Sequence, residues 1–212
     1  MSEKTNSKDH LEMMVAILMS IVVIATAWSA YQSTLWGGVQ TFALRDASAS
    51  GVMITTNILQ QNQYSTVDGM MFFEYVNALH NNNTQLSNFY FERFRPDFKP
   101  AVEAWLETNP FENPNAPPHP FVMDEYKKTF SEEAEKLAVQ QGIKLKEAEQ
   151  ANRNSDNYVL MTVLYAGILF IGGILSRFSK KQVQTKLLIT GWAIFSVVTF
   201  FLLTMPVAPL FE

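Results

Sequence analysis

Cysteine is absent from all 212 residues. That excludes disulfides, cysteine-ligated zinc and iron–sulfur clusters. Histidine is scarce: His10, His80 and His119 are widely separated along the chain, and no His-x-x-x-His pair occurs. Gly-x-Ser-x-Gly elbows and glycine-rich phosphate loops are missing as well. No set of groups therefore meets the requirements of a nucleophilic, metal-assisted or phosphoryl-transfer site. The expectation is a non-enzymatic protein with no catalytic residue, no metal ligand and no cofactor. Long basic runs are also lacking, and the formal net charge is −4, which argues against nucleic acid as a partner.

Charge is missing altogether from three apolar runs, residues 13–31, 158–176 and 187–205. Each is about the 20 residues a helix needs to cross the hydrocarbon core of a bilayer. The one ionisable residue read as part of a span is Glu12, at the cytoplasmic edge of the first run, where it can reach water. Residues 177–186 carry Arg177, Lys180, Lys181 and Lys186 and no acid, whereas residues 32–157 are net acidic. An excess of Lys and Arg marks cytoplasmic loops. The expected layout is therefore a cytoplasmic tail (1–12), a first span (13–31), an extracytoplasmic body (32–157), a second span (158–176), a basic cytoplasmic loop (177–186), a third span (187–205) and an outer tail (206–212). The protein would sit in a cytoplasmic (inner) membrane with membrane lipids as its first partners. Ala25-Thr26-Ala27 after Lys4 and Lys8 resembles a signal cleavage site. The run is long for a signal, however, and continues in a helical pattern past Trp28, so it is expected to stay in the mature chain.

Proline is absent between Tyr31 and Pro96, and no alternating strand pattern with hairpin turns appears. The class is all-α. Trp28, Tyr31 and Trp36 cluster at the outer end of the first span, as amphipathic rings do at a headgroup layer. Beyond them Ala43, Ala47 and Gly51 recur at four-residue spacing beside Ser50. Such a stripe admits a second helix at close range and makes these residues interface candidates. The outgoing leg is read as helix to about Thr66. The return leg is read from about Phe121 to Asn157, with an apolar seam at Tyr126, Phe130, Ala134, Leu137, Leu145 and Ala148. The legs are expected to pair as an antiparallel stalk, with span three standing apart as a packing or assembly helix.

Residues 67–120 form the expected cap. Asp68-Gly69 and the Asn81–83 triplet read as breakers. Pro96 and Pro100 bracket the start of a short helix with Ala101, Trp105 and Leu106 on its apolar face. The proline-rich stretch 109–120 reads as an extended loop packed on the cap. Arg93 and Arg95, in the aromatic run 89–94 and just after it, suit an anion or a partner's acids on one reading. On the other, the aromatics form a core and the arginines bond to Asp97, Glu92 or helix-end carbonyls. Gln32, Asp156 and Asn157 lie at the membrane entry, where they suit a helix cap, a cross-helix bond or a lipid headgroup. Ser20, Thr26 and Ser29, with Gln32, offer span one as a polar pore lining in an oligomer.

Several of these segments carry a family resemblance: residues 27–32, Arg93-Phe94-Arg95-Pro96-Asp97-Phe98-Lys99-Pro100-Ala101 with Trp105, residues 109–118, and residues 155–160. The chain resembles a widespread family of uncharacterised bacterial three-span integral membrane proteins with a helical extracytoplasmic domain. The resemblance implies that architecture and brings no activity with it. Two functional readings follow. The first is a protein that self-associates or docks onto a membrane partner through its stalk and cap. The second is an oligomeric channel subunit.

Overall fold

A computed structural model describes residues 2–175 and 177–209, with side chains from His10 onward. Ser176, the expected last residue of span two, and residues 210–212 of the expected outer tail lie outside the described residues. The described chain is all-α, without a strand among those residues. Its elements are α1 (Ser2–His80), α2 (Thr84–Phe91), α3 (Lys99–Glu107), a 3-10 turn (Pro120–Val122), α4 (Thr129–Leu175) and α5 (Lys181–Thr204). Three of them, α1, α4 and α5, are long and apolar enough to cross a membrane. The helices extend past the expected span limits. α1 already begins at Ser2, and α5 takes Lys181 and Lys186 out of the expected loop into its first turns.

The chain forms two compact units, Met1–Asp46 with Ile143–Glu212, and Ala47–Gly142. In the first unit α1 and α4 run antiparallel. Ser33 Oγ lies 3.0 Å from Ser155 Oγ. Toward the other end, a Cβ added to Gly172 would stand 3.0 Å from Met19 Cγ. α5 completes a three-helix core with Leu18 and Val22 of α1, Tyr158, Tyr165 and Ile168 of α4, and Leu188, Val198 and Leu202 of α5. Span three therefore does not stand apart. Gly191 brings α5 close enough to α1 that an added Cβ would meet Leu18 Cδ2 at 3.2 Å. Within a bilayer the driving force is this close packing rather than removal of apolar surface from water. Of the four span glycines, Gly172 and Gly191 make such approaches, while Gly167 and Gly173 face open space.

In the second unit the antiparallel pairing of α1 and α4 recurs. Gln141 Nε2 donates to the Ala47 carbonyl at 3.1 Å, and the Tyr64 and Phe130 rings stack 5.5 Å apart. Ala47 is buried and Gly51 sits directly under the Gln141 amide, so this part of the small-residue stripe packs within the chain. On the return helix Ala134 is buried and Leu145 is exposed. The polar Gln141 takes a place in the seam that the apolar pattern did not assign. The helix also starts later than Phe121, at Thr129, because the residues before it are drawn into the cap. Phe121 and Tyr126 put their rings on Phe98, at 4.9 and 5.5 Å.

Asp68-Gly69 does not break α1, which runs on to His80. The break comes at the asparagine triplet. Asn82 takes the left-handed conformation (φ 55°), and Asn83 N donates to the Ala78 carbonyl at 2.9 Å while Asn82 N donates to Leu79. This pattern of bonds ends a helix through one left-handed residue. Asn83 then caps α2 by accepting from Leu86 N at 3.1 Å. The cap core gathers around fully buried Phe98, ringed edge-on by Phe72, Phe94 and Tyr126. α3 begins with Pro100 in its first turn and buries Ala101, Val102 and Trp105. Trp105 Nε1 donates to the Pro117 carbonyl at 2.7 Å and so holds the proline-rich loop on the cap. The loop packs on the cap as expected, but it is a chain of tight turns at 109–116 rather than extended.

Replacing Ala47 with Phe inserts a ring where α4 lies against α1, and overpacking of this kind costs about 1–3 kcal/mol. Thermal unfolding in detergent should show a midpoint several degrees lower. An unchanged midpoint would show that the stripe is not a packing surface.

Candidate functional site

The strongest concentration of polar chemistry lies inside the cap. Asp68, on α1, is 1% exposed. Arg95 reaches it across 27 residues of sequence: Nε donates to Oδ1 at 3.0 Å and Nη2 to Oδ2 at 2.8 Å. The two nearly parallel bonds form the fork that a planar guanidinium makes with a carboxylate. Arg95 Nη1 also reaches Asp97 at 3.4 Å. Its guanidinium carbon lies 4.4 Å from the centre of the Tyr64 ring. The Tyr126 hydroxyl donates to Asp68 Oδ2 at 3.4 Å and shares a 3.0 Å bond with Ser65 Oγ. Gln61 Nε2 extends the chain to Ser65 at 3.4 Å.

The bond to Asp68 pushes the Arg95 guanidinium above its ordinary value, and burial opposes that rise. Burial pushes the Tyr126 phenol up. The Ser65 bond works against this, and the Asp68 charge adds to it. Tyr75, in the same core, is raised by burial. Both carboxylate oxygens of Asp68 are committed to partners and closed to solvent. The cluster is therefore a tie between α1, the turn after α2 and the segment before α4, rather than an acid or base aimed at a substrate.

Arg93 behaves differently from its neighbour. Its Nη1 donates to the Phe89 carbonyl at 3.1 Å and its guanidinium lies 3.7 Å from the Phe89 ring centre, on the surface. Glu92 pairs with Lys99 at 3.6 Å instead of with an arginine. The arginines thus bond to Asp97 and a helix carbonyl, as the second reading expects. Asp68 is the partner that local sequence does not reveal.

A second constellation occupies the first unit around Gln32 of α1, at the end of its apolar run, and the segment that follows α5. Gln32 is 1% exposed, and its Oε1 accepts from Ala208 N at 2.9 Å. Trp36 Nε1 and the Tyr158 hydroxyl both donate to the Pro206 carbonyl, at 3.0 and 3.2 Å. The segment after α5 is thereby clamped by three side chains of α1 and α4. Asp156 and Asn157 are not part of the clamp. α4 is continuous through them, so no helix start exists there to cap. Asp156 accepts instead from Asn152 of its own helix at 3.0 Å, and Asn157 is exposed. The cross-helix bond at this level is made by Ser155, which donates to the Ser33 carbonyl at 3.0 Å.

Trp28 and Tyr31 point outward and are nearly half exposed, whereas Trp36 turns inward to Pro206. Ala43 is buried within the first unit. The pore candidates do not share a face. Ser20 is exposed and Ser29 fully buried. Ser20, Thr26 and Ser29 all donate at 2.8 Å to a carbonyl four residues back on their own helix. Among the described residues no group of three His, Asp or Glu lies close enough to hold a metal ion. Compared with protein-family models, curated proteins and solved structures, the chain matches none.

Two outcomes test the cap network. Asp68→Ala leaves a half-buried guanidinium without its main partner and should cost about 3 kcal/mol. Arg93→Ala, on the surface, should stay within about 0.5 kcal/mol. Equal effects in chemical denaturation would overturn the contrast. A phenol raised in the fold is held neutral there. Its stabilising contribution is complete below the usual value near pH 10 and is lost as pH rises through the folded value. Alkaline titration followed by phenolate absorbance should therefore show a late-titrating phenol that Tyr126→Phe removes. A midpoint at the ordinary value would refute the burial argument.

Proposed function

We propose that this chain is a non-enzymatic integral protein of a cytoplasmic (inner) membrane. Its N-terminus and basic loop lie inside, and its main domain and C-terminus lie outside. It acts by self-association or by docking onto a membrane partner through the paired helices and cap of its body. One observation carries the reading: the apolar helices are far from covered by the chain itself. In the most apolar stretch of α1, α4 and α5, only 17%, 28% and 22% is buried. Broad faces such as that formed by Phe200, Phe201 and Leu203 on α5 remain bare. Lipid and protein are the two covers such surfaces accept. The charge contrast between residues 177–186 and the acidic body supports the orientation. The committed state of Asp68 supports a binding role over chemistry. The back-bonded, divergent hydroxyls of span one weigh against a channel.

The natural absence of cysteine makes the topology directly measurable. Asn113→Cys should react with a membrane-impermeant maleimide added outside intact cells, and Ser179→Cys should react only after lysis. The reverse pattern would overturn the orientation. In native-like lipid the purified chain should run as an oligomer or carry a second membrane chain with it. A strict monomer that retains no partner would refute the associative reading.

A further inference from the structure

The outer face of α1 within the second unit differs in kind from the outer face of α4. From residue 47 to residue 73 the sequence contains one charge, Asp68, and that one is buried and paired. This is about 40 Å of helix at 1.5 Å per residue. In the same unit, the first part of α4 carries Glu132, Glu133, Glu135 and Lys136, all but one within a single turn of each other and all exposed. A helix face that stays in water ordinarily carries charge.

The uncharged face is also patterned. Val52, Thr56, Leu59, Thr66, Met70 and Phe73 are all exposed, with Phe73 at 70% and Val52 at 68%. With Gln63 between Leu59 and Thr66, they follow one another at alternating spacings of four and three. That is the seam of a coiled coil, offset from the face that already packs inside the unit. Thr56 and Thr66 donate their hydroxyls to the Val52 and Asn62 carbonyls of their own helix, at 2.9 and 2.8 Å. They can therefore present methyl groups outward.

We infer that this stripe is the surface on which a second copy of the same chain packs, parallel and related by a two-fold axis along the membrane normal. The inference rests on the associative reading above and names its partner and its surface. Copies held by their spans in one bilayer share one orientation. In a symmetric parallel pair each seam residue then faces itself. Any charge on the seam would meet an identical charge, which costs stability. An uncharged seam is what this arrangement requires. A charged partner would instead select complementary charges on this face. Gln63, the one amide on the stripe, can both donate to and accept from its own counterpart, so self-pairing leaves it satisfied.

The test uses the full chain in native-like lipid, with single cysteines placed on the cysteine-free background. Leu59→Cys and Thr66→Cys should each give a disulfide-linked dimer of twice the chain mass on mild oxidation, and Lys136→Cys, on α4, should not. Leu59→Glu, which sets like charges against each other, should reduce the dimeric fraction at least tenfold while Lys136→Glu leaves it unchanged. Three results would overturn the inference. The first is an oligomer whose seam cysteines fail to cross-link, which would leave self-association intact and place it elsewhere. The second is a seam cysteine that cross-links to a different membrane chain, which would leave docking intact and exclude the self-pair. The third is a monomer with no partner, which would remove the associative reading as well.

Discussion

Pairing between α1 and α4 is the constraint on which each unit depends, and it works by keeping the contact side of α1 small or neutral. Alanine, serine and glycine at residues 33, 43, 47 and 51 let a neighbouring backbone approach. The contacts that result are hydrogen bonds between short polar groups, Ser33 with Ser155 in one unit and the Ala47 carbonyl with Gln141 in the other. Larger apolar groups would hold the helices farther apart and leave these polar atoms without partners. Small residues thus do in the body what Gly172 and Gly191 do in the spans.

A second layer of organisation uses long-range polar ties where the short ones end. Asp68 is a charge inside α1, tolerated because Arg95 and Tyr126 reach it from elsewhere in the cap. Removing either partner is expected to cost far more than the net worth of the intact pair, since it leaves a desolvated charge behind. Gln32, Trp36 and Tyr158 do the equivalent for the segment after α5 by holding the Pro206 carbonyl and the Ala208 amide. In both places amide, indole, phenol or guanidinium groups sit at the ends of apolar packing and satisfy backbone or carboxylate atoms there.

The three apolar helices and the all-α class were legible in the sequence because both follow from composition over many residues. The asparagine triplet was legible because a left-handed residue is a local requirement. What escaped were features decided by distant partners. Asp68-Gly69 has turn-like composition, yet the helix continues through it because the carboxylate is satisfied by Arg95 rather than by its own backbone. Tyr126 fits the helical seam by spacing, but its ring and hydroxyl are claimed by the cap core, so the helix starts after it. Gln141 lies on the seam and Leu145 off it, an exchange that a hydropathy pattern reads the wrong way round. Gln32 was recognised as a membrane-entry residue, but its bond to Ala208, 176 positions away, has no local signature.

The corner between α1 and α2 contains no spare residue. Asn83 closes the first helix with its backbone amide and opens the second with its side chain, so one amino acid belongs to the end of one element and the start of the next. The departure direction of α2 follows from the backbone of two residues, left-handed Asn82 (φ 55°) and non-helical Asn83 (φ −88°, ψ 80°). A residue added to the last turn of α1 would rotate the corner, and α2 with it, by about 100° about the α1 axis, the rotation per residue of an α-helix, and would carry the inward face of α2 away from the aromatic core. The family of sequences that can keep this cap should therefore tolerate length variation in the loop at 109–116 far more readily than at the asparagine corner.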